Sequence, residues 1–217
     1  MDVRQTLSDL GCVLEGEFIF ALKKGNVASK YINIDPLLSR PQHLERVADK
    51  ISSQTMFSSA LYPPTVVAGP AVGAIPLVYA VERAYCNQSI RADRLRVVFA
   101  EKNEGGFILD RLGFKEAVFG QPVWVVEDIA TTGDSAKQTG QAIEEAGGKI
   151  VGYSFIWNRG EVTSEHMDAP VLSLIKEPIE FWAPQDHPYW GEWPLVTDIG
   201  HPEKFPDYPG PKIRLLT

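Results

Sequence analysis

The chain is expected to fold as an α/β protein, with a central, mostly parallel sheet flanked by helices, a small amino-terminal hood and an irregular carboxyl-terminal segment. Three observations lead there. From about residue 64 to 157, short apolar, β-branched runs alternate with helical stretches, the pattern of a parallel sheet covered on both faces. One of these units, Val123-Trp124-Val125-Val126-Glu127-Asp128-Ile129-Ala130-Thr131-Thr132-Gly133-Asp134-Ser135, joins a buried strand to two acids and a turn that opens a helix. Beyond residue 160 the periodicity stops, and that segment holds more than half of the prolines and tryptophans.

Length and composition narrow the class. A chain of 217 residues accommodates one substantial domain with additions, here divided as hood (1–60), core (61–160) and carboxyl-terminal wrap (161–217). With 44% hydrophobic and 23% charged residues, a packed globular core is expected rather than a disordered or fibrous chain. The net charge of -7 argues against a nucleic-acid partner, whose phosphates need a basic surface. Cys12 and Cys86 show no metal-ligand spacing, and the amino terminus does not read as a signal peptide, so a reduced, cytoplasmic setting is expected. No membrane partner is expected either: a span needs roughly 20 apolar residues, and the candidate around Ala71–Val81 contains Pro76 and reads as a buried helix.

In chain order, Val3, Leu7 and Leu10 mark one face of a short helix stopped by Gly11. Glu17–Leu22 and Lys30–Asp35 read as strands around a turn at Lys23–Asn26. Pro41 suits a first helical position, and Leu44, Val47, Ala48 and Ile51 face a core until the helix ends near Met56. Thr65–Ala68 is a short strand leading into Gly69-Pro70-Ala71-Val72-Gly73, followed by a helix over about 74–85. Arg96–Phe99 is the next strand. Ala100–Lys115 reads as a mobile loop with room for a short hairpin. After the helix at about 135–146, capped by Gly147-Gly148, Ile150–Trp157 forms a further strand ending at Asn158-Arg159-Gly160.

The turn after Asp128 carries chemistry. Successive backbone N–H groups at a helix amino terminus form an anion nest, to which Thr131, Thr132 and Ser135 add hydroxyls. A phosphate monoester fits such a nest; an ordinary capped turn is the alternative. Glu127 and Asp128 favour the former, because carboxylates at a strand end can accept hydrogen bonds from a sugar diol. The Gly-x-Gly-x-x-Gly and Walker patterns are both absent, so neither dinucleotide nor P-loop binding is indicated.

This stretch resembles the phosphoribosyl pyrophosphate signature of type I phosphoribosyltransferases: four hydrophobic residues, two acids and a Thr-Thr-Gly loop. Other segments are similar, in the same order, to the orotate phosphoribosyltransferases. Phe18–Tyr31 resembles their Phe-x-Leu-Lys-Ser-Gly-x-x-Ser-x-Tyr pattern, Ala68–Gly73 their pyrophosphate loop, and Phe99-Ala100-Glu101-Lys102 their mobile loop; Leu109–Phe114 is similar to the Leu-Arg-Arg-Gly-Phe of one bacterial branch. The resemblance covers roughly residues 10–160.

It implies a type I phosphoribosyltransferase fold and a transfer from phosphoribosyl pyrophosphate to orotate, giving orotidine 5-monophosphate and pyrophosphate, with Mg²⁺ bound mainly through pyrophosphate and ribose hydroxyls, in a homodimer. Thr131, Thr132, Gly133, Asp134 and Ser135 would hold the 5-phosphate, and Glu127 and Asp128 the ribose. Gly69, Pro70, Ala71, Val72 and Gly73 would approach pyrophosphate; for these a close helix–strand contact is the alternative. Lys23, Lys102 and Asp128 would be the catalytic groups, Tyr31 a substrate contact, and Arg159 the partner of the orotate carboxylate, which a guanidinium fork suits. For each lysine the alternative is an ordinary solvated side chain.

The chain also departs from the pattern. Its loop is acid-rich over Glu101–Glu104, and Lys24, Lys30 and Asn158 stand where Ser, Pro and Asp are usual. Another nucleobase as acceptor, or a noncatalytic phosphoribosyl pyrophosphate sensor, therefore stay open. His43, His166, His187 and His201 form no ligand set and are expected at the surface, and the tail tryptophans are expected to pack on the core or a partner.

Overall fold

The computed structural model describes residues 1–22, 24–54, 63–88 and 95–215. Lys23 and the expected helix end near Met56 lie outside them.

Asp2 caps α1 (Val3–Asp9) by accepting the Gln5 N–H at 3.1 Å, satisfying a donor the first helical turn leaves unpaired. The antiparallel strands β1 (Val13–Ala21) and β2 (Val27–Ile32) follow, then α2 (Asp35–Leu38) and α3 (Pro41–Ser53). Proline does open α3, and Leu44, Val47, Ala48 and Ile51 form its buried stripe. Next come β3 (Val66–Pro70), α4 (Ile75–Gln88), β4 (Arg96–Asn103), β5 (Gly106–Ile108) and α5 (Phe114–Val118). The chain continues through β6 (Pro122–Ala130), α6 (Asp134–Glu145), β7 (Lys149–Asn158), α7 (Ser164–Met167) and β8 (Val171–Lys176). Two short strands, β9 (Leu195–Val196) and β10 (Lys212–Ile213), close it.

Two compact units emerge, Ile34–Pro178 and the pairing of Asp2–Asn33 with Ile179–Thr217. The divisions expected near 60 and 160 are drawn at these points instead. In the first unit β8 extends the central sheet beyond 160, and α2 and α3 belong with that sheet.

The central sheet has the order β5-β4-β3-β6-β7-β8, all parallel except β5. Val66, Ala68, Val98, Val123, Val125 and Phe155 form its core with Ala136 and Ile143 of α6. The strands are apolar without alternation because helices cover both faces. From β3 the chain steps to β4 on one side, and then to β6 on the other. The point where strand order reverses therefore lies between β3 and β6, and ligands of open α/β sheets bind there, beyond the carboxyl ends of the strands. Those two ends carry Gly69–Gly73 and Glu127–Ser135.

Over Ala100–Lys115 the structure forms the short hairpin for which the sequence left room. Gly106, at φ +134°, lets the chain turn back, so that Glu101 faces Ile108 and Lys102 faces Phe107 across a hairpin. Arg111 forks onto Glu101 at 2.7 and 3.1 Å. Its guanidinium also lies 5.6 Å from the centre of the Phe99 ring.

In the second unit the sheet order is β10-β9-β1-β2, with β9 parallel to both neighbours. The carboxyl-terminal segment thus packs on the hood strands: Trp182, Trp190, Trp193 and Phe205 lie against Ile19, Ala21, Val27, Leu195 and Tyr208. His187 is not a surface residue. It is 3% exposed, its Nδ1 accepts the Tyr189 N–H at 3.2 Å, and its Nε2 lies 3.1 Å from Ser29 Oγ. Because a backbone N–H can only donate, the ring proton belongs on Nε2 and goes to Ser29. Burial holds the His187 pKa below its ordinary value.

The buried Tyr208 hydroxyl donates to the Trp193 carbonyl and accepts the Gly191 N–H at 3.1 Å. Tyr208→Phe should destabilise this unit by about 1 kcal/mol, because two part-buried backbone groups lose this partner. Urea denaturation followed by tryptophan fluorescence measures it, and an unchanged midpoint would contradict the assignment.

Candidate active site

The acid pair sits at the last turnings of β6. Glu127 is 8% exposed and accepts from the Ser135 hydroxyl and the Ala136 N–H in the first turn of α6. Burial, and then the charge of Asp128, push the Glu127 pKa up to about 8. Asp128 is half-buried and accepts the Ile129 N–H at 2.8 Å. Burial raises its pKa also, with the Asp35 charge in the same direction; backbone donors and the charge of Arg159 oppose the shift. Two acids kept from water, with few donors to replace it, suit a ligand that brings hydroxyl donors or positive charge.

Gly133 ends the following turn at φ +75° and caps α6, a conformation a side chain disfavours. Val162 and Met167 also close in on it. Thr132 and Asp134 are exposed and Thr131 half-buried. The turn has the form of a nest at a helix start, but Ser135, expected on the phosphate, has its hydroxyl on Glu127. Ser135 therefore fixes the acid and the helix start together.

In the neighbouring loop the five residues divide. Gly69 is a packing glycine, since a Cβ there would stand 2.6 Å from the Val126 carbonyl oxygen and 2.7 Å from Val78 Cγ2. Gly73 faces the acids: the nearest atom to a Cβ there is Asp128 Oδ2, at 3.9 Å. Pro70 ends β3, Val72 is 79% exposed, and the Ala71–Val72 peptide is cis. The Ala71 N–H donates to the Ala100 carbonyl at 2.7 Å. That bond ties the loop to β4 two residues before Lys102, whose side chain is exposed on the hairpin.

Arg159 follows β7. Its Nε donates to Thr131 Oγ1 at 2.7 Å, and its backbone N–H to the Ala130 carbonyl at 2.9 Å. The structure thus brings together Asp128, Thr131, Gly73 and Arg159. Tyr31 lies in the second unit, its ring 5.6 Å from that of Phe20, among hood side chains.

Two residues that the sequence names only as a strand end and a departure from the pattern gain structural roles. Gly160 is pressed on the signature loop so closely that a Cβ would stand 1.5 Å from the Thr131 carbonyl oxygen. Buried Asn158 donates to the Val162 carbonyl at 2.7 Å and accepts the Val162 N–H at 3.0 Å. An ionised Asp could accept but not donate, which accounts for Asn where the resemblance has Asp. The Asn-x-Gly punctuation after the strand was the available signal.

Glu127 yields a pH prediction. Its folded pKa of about 8 lies above the ordinary 4.5, so the folded state keeps a proton that the unfolded chain releases. Stability contributed below the lower value is lost as pH rises through this window, with a slope approaching ~1.4 kcal/mol per pH unit. Glu127→Gln should match the wild-type melting temperature near pH 5 and exceed it at pH 8 by on the order of 5 °C. Parallel melting curves at all pH values would contradict the buried, protonated acid.

Known proteins resemble this chain in sequence and in fold. Residues 37–190 match the family model described as the phosphoribosyl transferase domain. Orotate phosphoribosyltransferase of Sulfurovum sp. (strain NBC37-1) is 32% identical over 200 residues, covering 87% of this chain and 92% of that protein. Orotate phosphoribosyltransferase from Aeropyrum pernix aligns in structure with a TM-score of 0.57 at 20% identity, over 80% of this chain and 93% of the other. The Mycobacterium tuberculosis H37Rv orotate phosphoribosyltransferase in complex with 5-phospho-alpha-D-ribosyl 1-diphosphate aligns with a TM-score of 0.52 at 20% identity, over 66% and 79% respectively. These two share the fold. The chain belongs to the phosphoribosyltransferase family and groups with its orotate phosphoribosyltransferases.

Proposed function

We propose that this protein is an orotate phosphoribosyltransferase, a pentosyltransferase of pyrimidine nucleotide biosynthesis. It transfers the 5-phosphoribosyl group from phosphoribosyl pyrophosphate to orotate. The observation that carries this reading is the Glu127–Asp128 pair at the switch point of the sheet, Glu127 buried and Asp128 half-buried, with the Thr131–Ser135 turn on one side and Arg159 beside it.

Attack at an anomeric carbon with a good leaving group passes through an oxocarbenium-like state, so no protein nucleophile is required. The protein's work is positioning and electrostatics. Thr131–Ser135 hold the 5-phosphate, Glu127 and Asp128 accept from the ribose hydroxyls, and Gly73 leaves room for pyrophosphate beside Asp128. Lys102, on its hairpin, and Lys23 supply positive charge to the departing pyrophosphate. Arg159 takes the orotate carboxylate.

Mg²⁺ belongs to this reading. The oxygen acceptors here fit a hard cation that is carried in by substrate phosphates and keeps much of its water, and when bound it neutralises the leaving pyrophosphate. The protein is further proposed to work as a cytoplasmic homodimer, the assembly that the resemblance implies. Among the described residues no helix is long and apolar enough to cross a membrane.

Pyrophosphate release should be seen with orotate and Mg²⁺, and fall to background without the metal. Full activity with hypoxanthine or xanthine and none with orotate would overturn the choice of base. Arg159→Lys loses the planar fork and should lower kcat/KM for orotate by about 10- to 100-fold, chiefly through KM. Lys102→Ala should lower kcat; turnover unchanged in that variant would remove Lys102 from the mechanism.

A further inference from the structure

The segment between β7 and β8 is built as a strap against the signature loop. At its start Asn158 holds the Val162 backbone by both the carbonyl and the N–H. The Thr163 hydroxyl then caps α7 by accepting the His166 N–H at 3.2 Å. The Ser164 hydroxyl accepts the Val171 N–H at 2.9 Å, where β8 begins. Between these fastenings Val162 and Met167 are 4% and 3% exposed. Both close on Gly133, where a Cβ would stand 3.1 Å from Met167 Sδ and 3.2 Å from Val162 Cγ1.

Lys137 joins the strap to the loop. Its backbone N–H donates to the Gly133 carbonyl at 2.9 Å and closes the first turn of α6. Its Nζ donates to the His166 carbonyl at 2.7 Å, one of the acceptors that the end of a short helix leaves without an intrahelical partner. The Asp168 carboxylate, 3.8 Å from the same ammonium, is 86% exposed and adds little. One residue therefore grips the signature loop through its backbone and the strap through its side chain. Gly133 is buried, whereas Thr132 and Asp134 on either side of it are exposed. A glycine at φ +75° is also the joint with the most freedom to leave its conformation. Two apolar side chains packed on it oppose that movement, because a gap at this contact would forfeit their dispersion contacts.

We infer that Lys137 is a positioning residue for phosphate recognition: by holding the β7–β8 strap it keeps Val162 and Met167 on Gly133, and so keeps the Thr131–Ser135 turn in its phosphate-accepting form. The inference rests on the phosphoribosyltransferase reading above. A turn shaped before the ligand arrives costs no ordering on binding, so the strap acts on affinity for the phosphate. Met167 has no donor to offer a phosphate oxygen. Affinity lost on truncating it therefore reports the shape of the turn and not a missing contact.

Calorimetric titration of ribose 5-phosphate into the full-length protein, well below the melting temperature of each variant, tests it. Lys137→Met and Met167→Ala should each weaken binding by about tenfold. The double variant should bind about as well as the weaker single one, because both changes loosen the same strap. Lys137→Arg keeps a donor for the His166 carbonyl and should recover most of the affinity. In steady state, Lys137→Met should raise KM for phosphoribosyl pyrophosphate with kcat near the wild-type value, whereas a mere loss of folded protein lowers kcat and leaves KM alone. Val162→Ala takes the place of Met167→Ala if that variant fails to fold. Weakened binding in Lys137→Met alone would show the ammonium acting on the phosphate directly and overturn the inference, as would wild-type affinity in Lys137→Met or full additivity in the double variant. Each of these results leaves the enzyme assignment standing. Failure of the wild type to bind ribose 5-phosphate would overturn the underlying reading and this inference with it.

Discussion

Two carboxylates are held out of water at the end of a parallel strand, and the local architecture depends on that burial. Glu127 takes its donors from Ser135 and Ala136 in the first turn of α6. The acid thus fixes where the helix begins, and with it the turn that forms the nest. The donors offset only part of the desolvation, and the charge of Asp128 adds to it, so Glu127 favours its proton in the empty protein. Such a group suits a ligand that brings hydroxyl donors, and the proposed ribose would supply them and allow the acid to release its proton.

The other loops are placed by contacts made with backbone, which leaves them little freedom to drift. Gly69 lets β3 lie against the Val126 carbonyl, Ala71 is tied to Ala100, and Arg159 is tied to Ala130 and Thr131. The sheet thus carries the acid pair, the loop after β3, the base of the Lys102 hairpin and the proposed base arginine as one set. In the proposed reaction, whose transition state needs charge placement more than covalent help, this fixing of distances would itself favour the transfer.

Much of this was readable from sequence because the information is local. The unit from Val123 to Ser135 announces itself through an apolar run, a pair of acids and a glycine at a helix start, all within one stretch of chain. Pro41 and the buried stripe of α3 are legible for the same reason. What was missed depends on residues far apart. Nothing near Gly160 says that Thr131 will lie on it, and Asn158 reveals its bonding only once the loop to Val162 is built. Two-residue strands such as β9 carry no period at all, so the tail was expected as a wrap when it supplies strands to the hood sheet. His187 was misjudged because its burial comes from Trp182 and Trp193, brought to it by the tail's own folding. The hairpin after β4 was half seen, since Gly105-Gly106 signals a turn but the Glu101–Arg111 pair joins residues on either side of it.

The central claim is that Glu127 stays protonated until the ribose arrives. Calorimetry of phosphoribosyl pyrophosphate binding at pH 7, in buffers of differing ionisation enthalpy, counts the protons exchanged. A net release in the wild type, reduced by most of one proton in Glu127→Gln, is the expected result. Equal proton counts in the two proteins would contradict the account, because the acid would then either be unprotonated beforehand or keep its proton when the substrate binds.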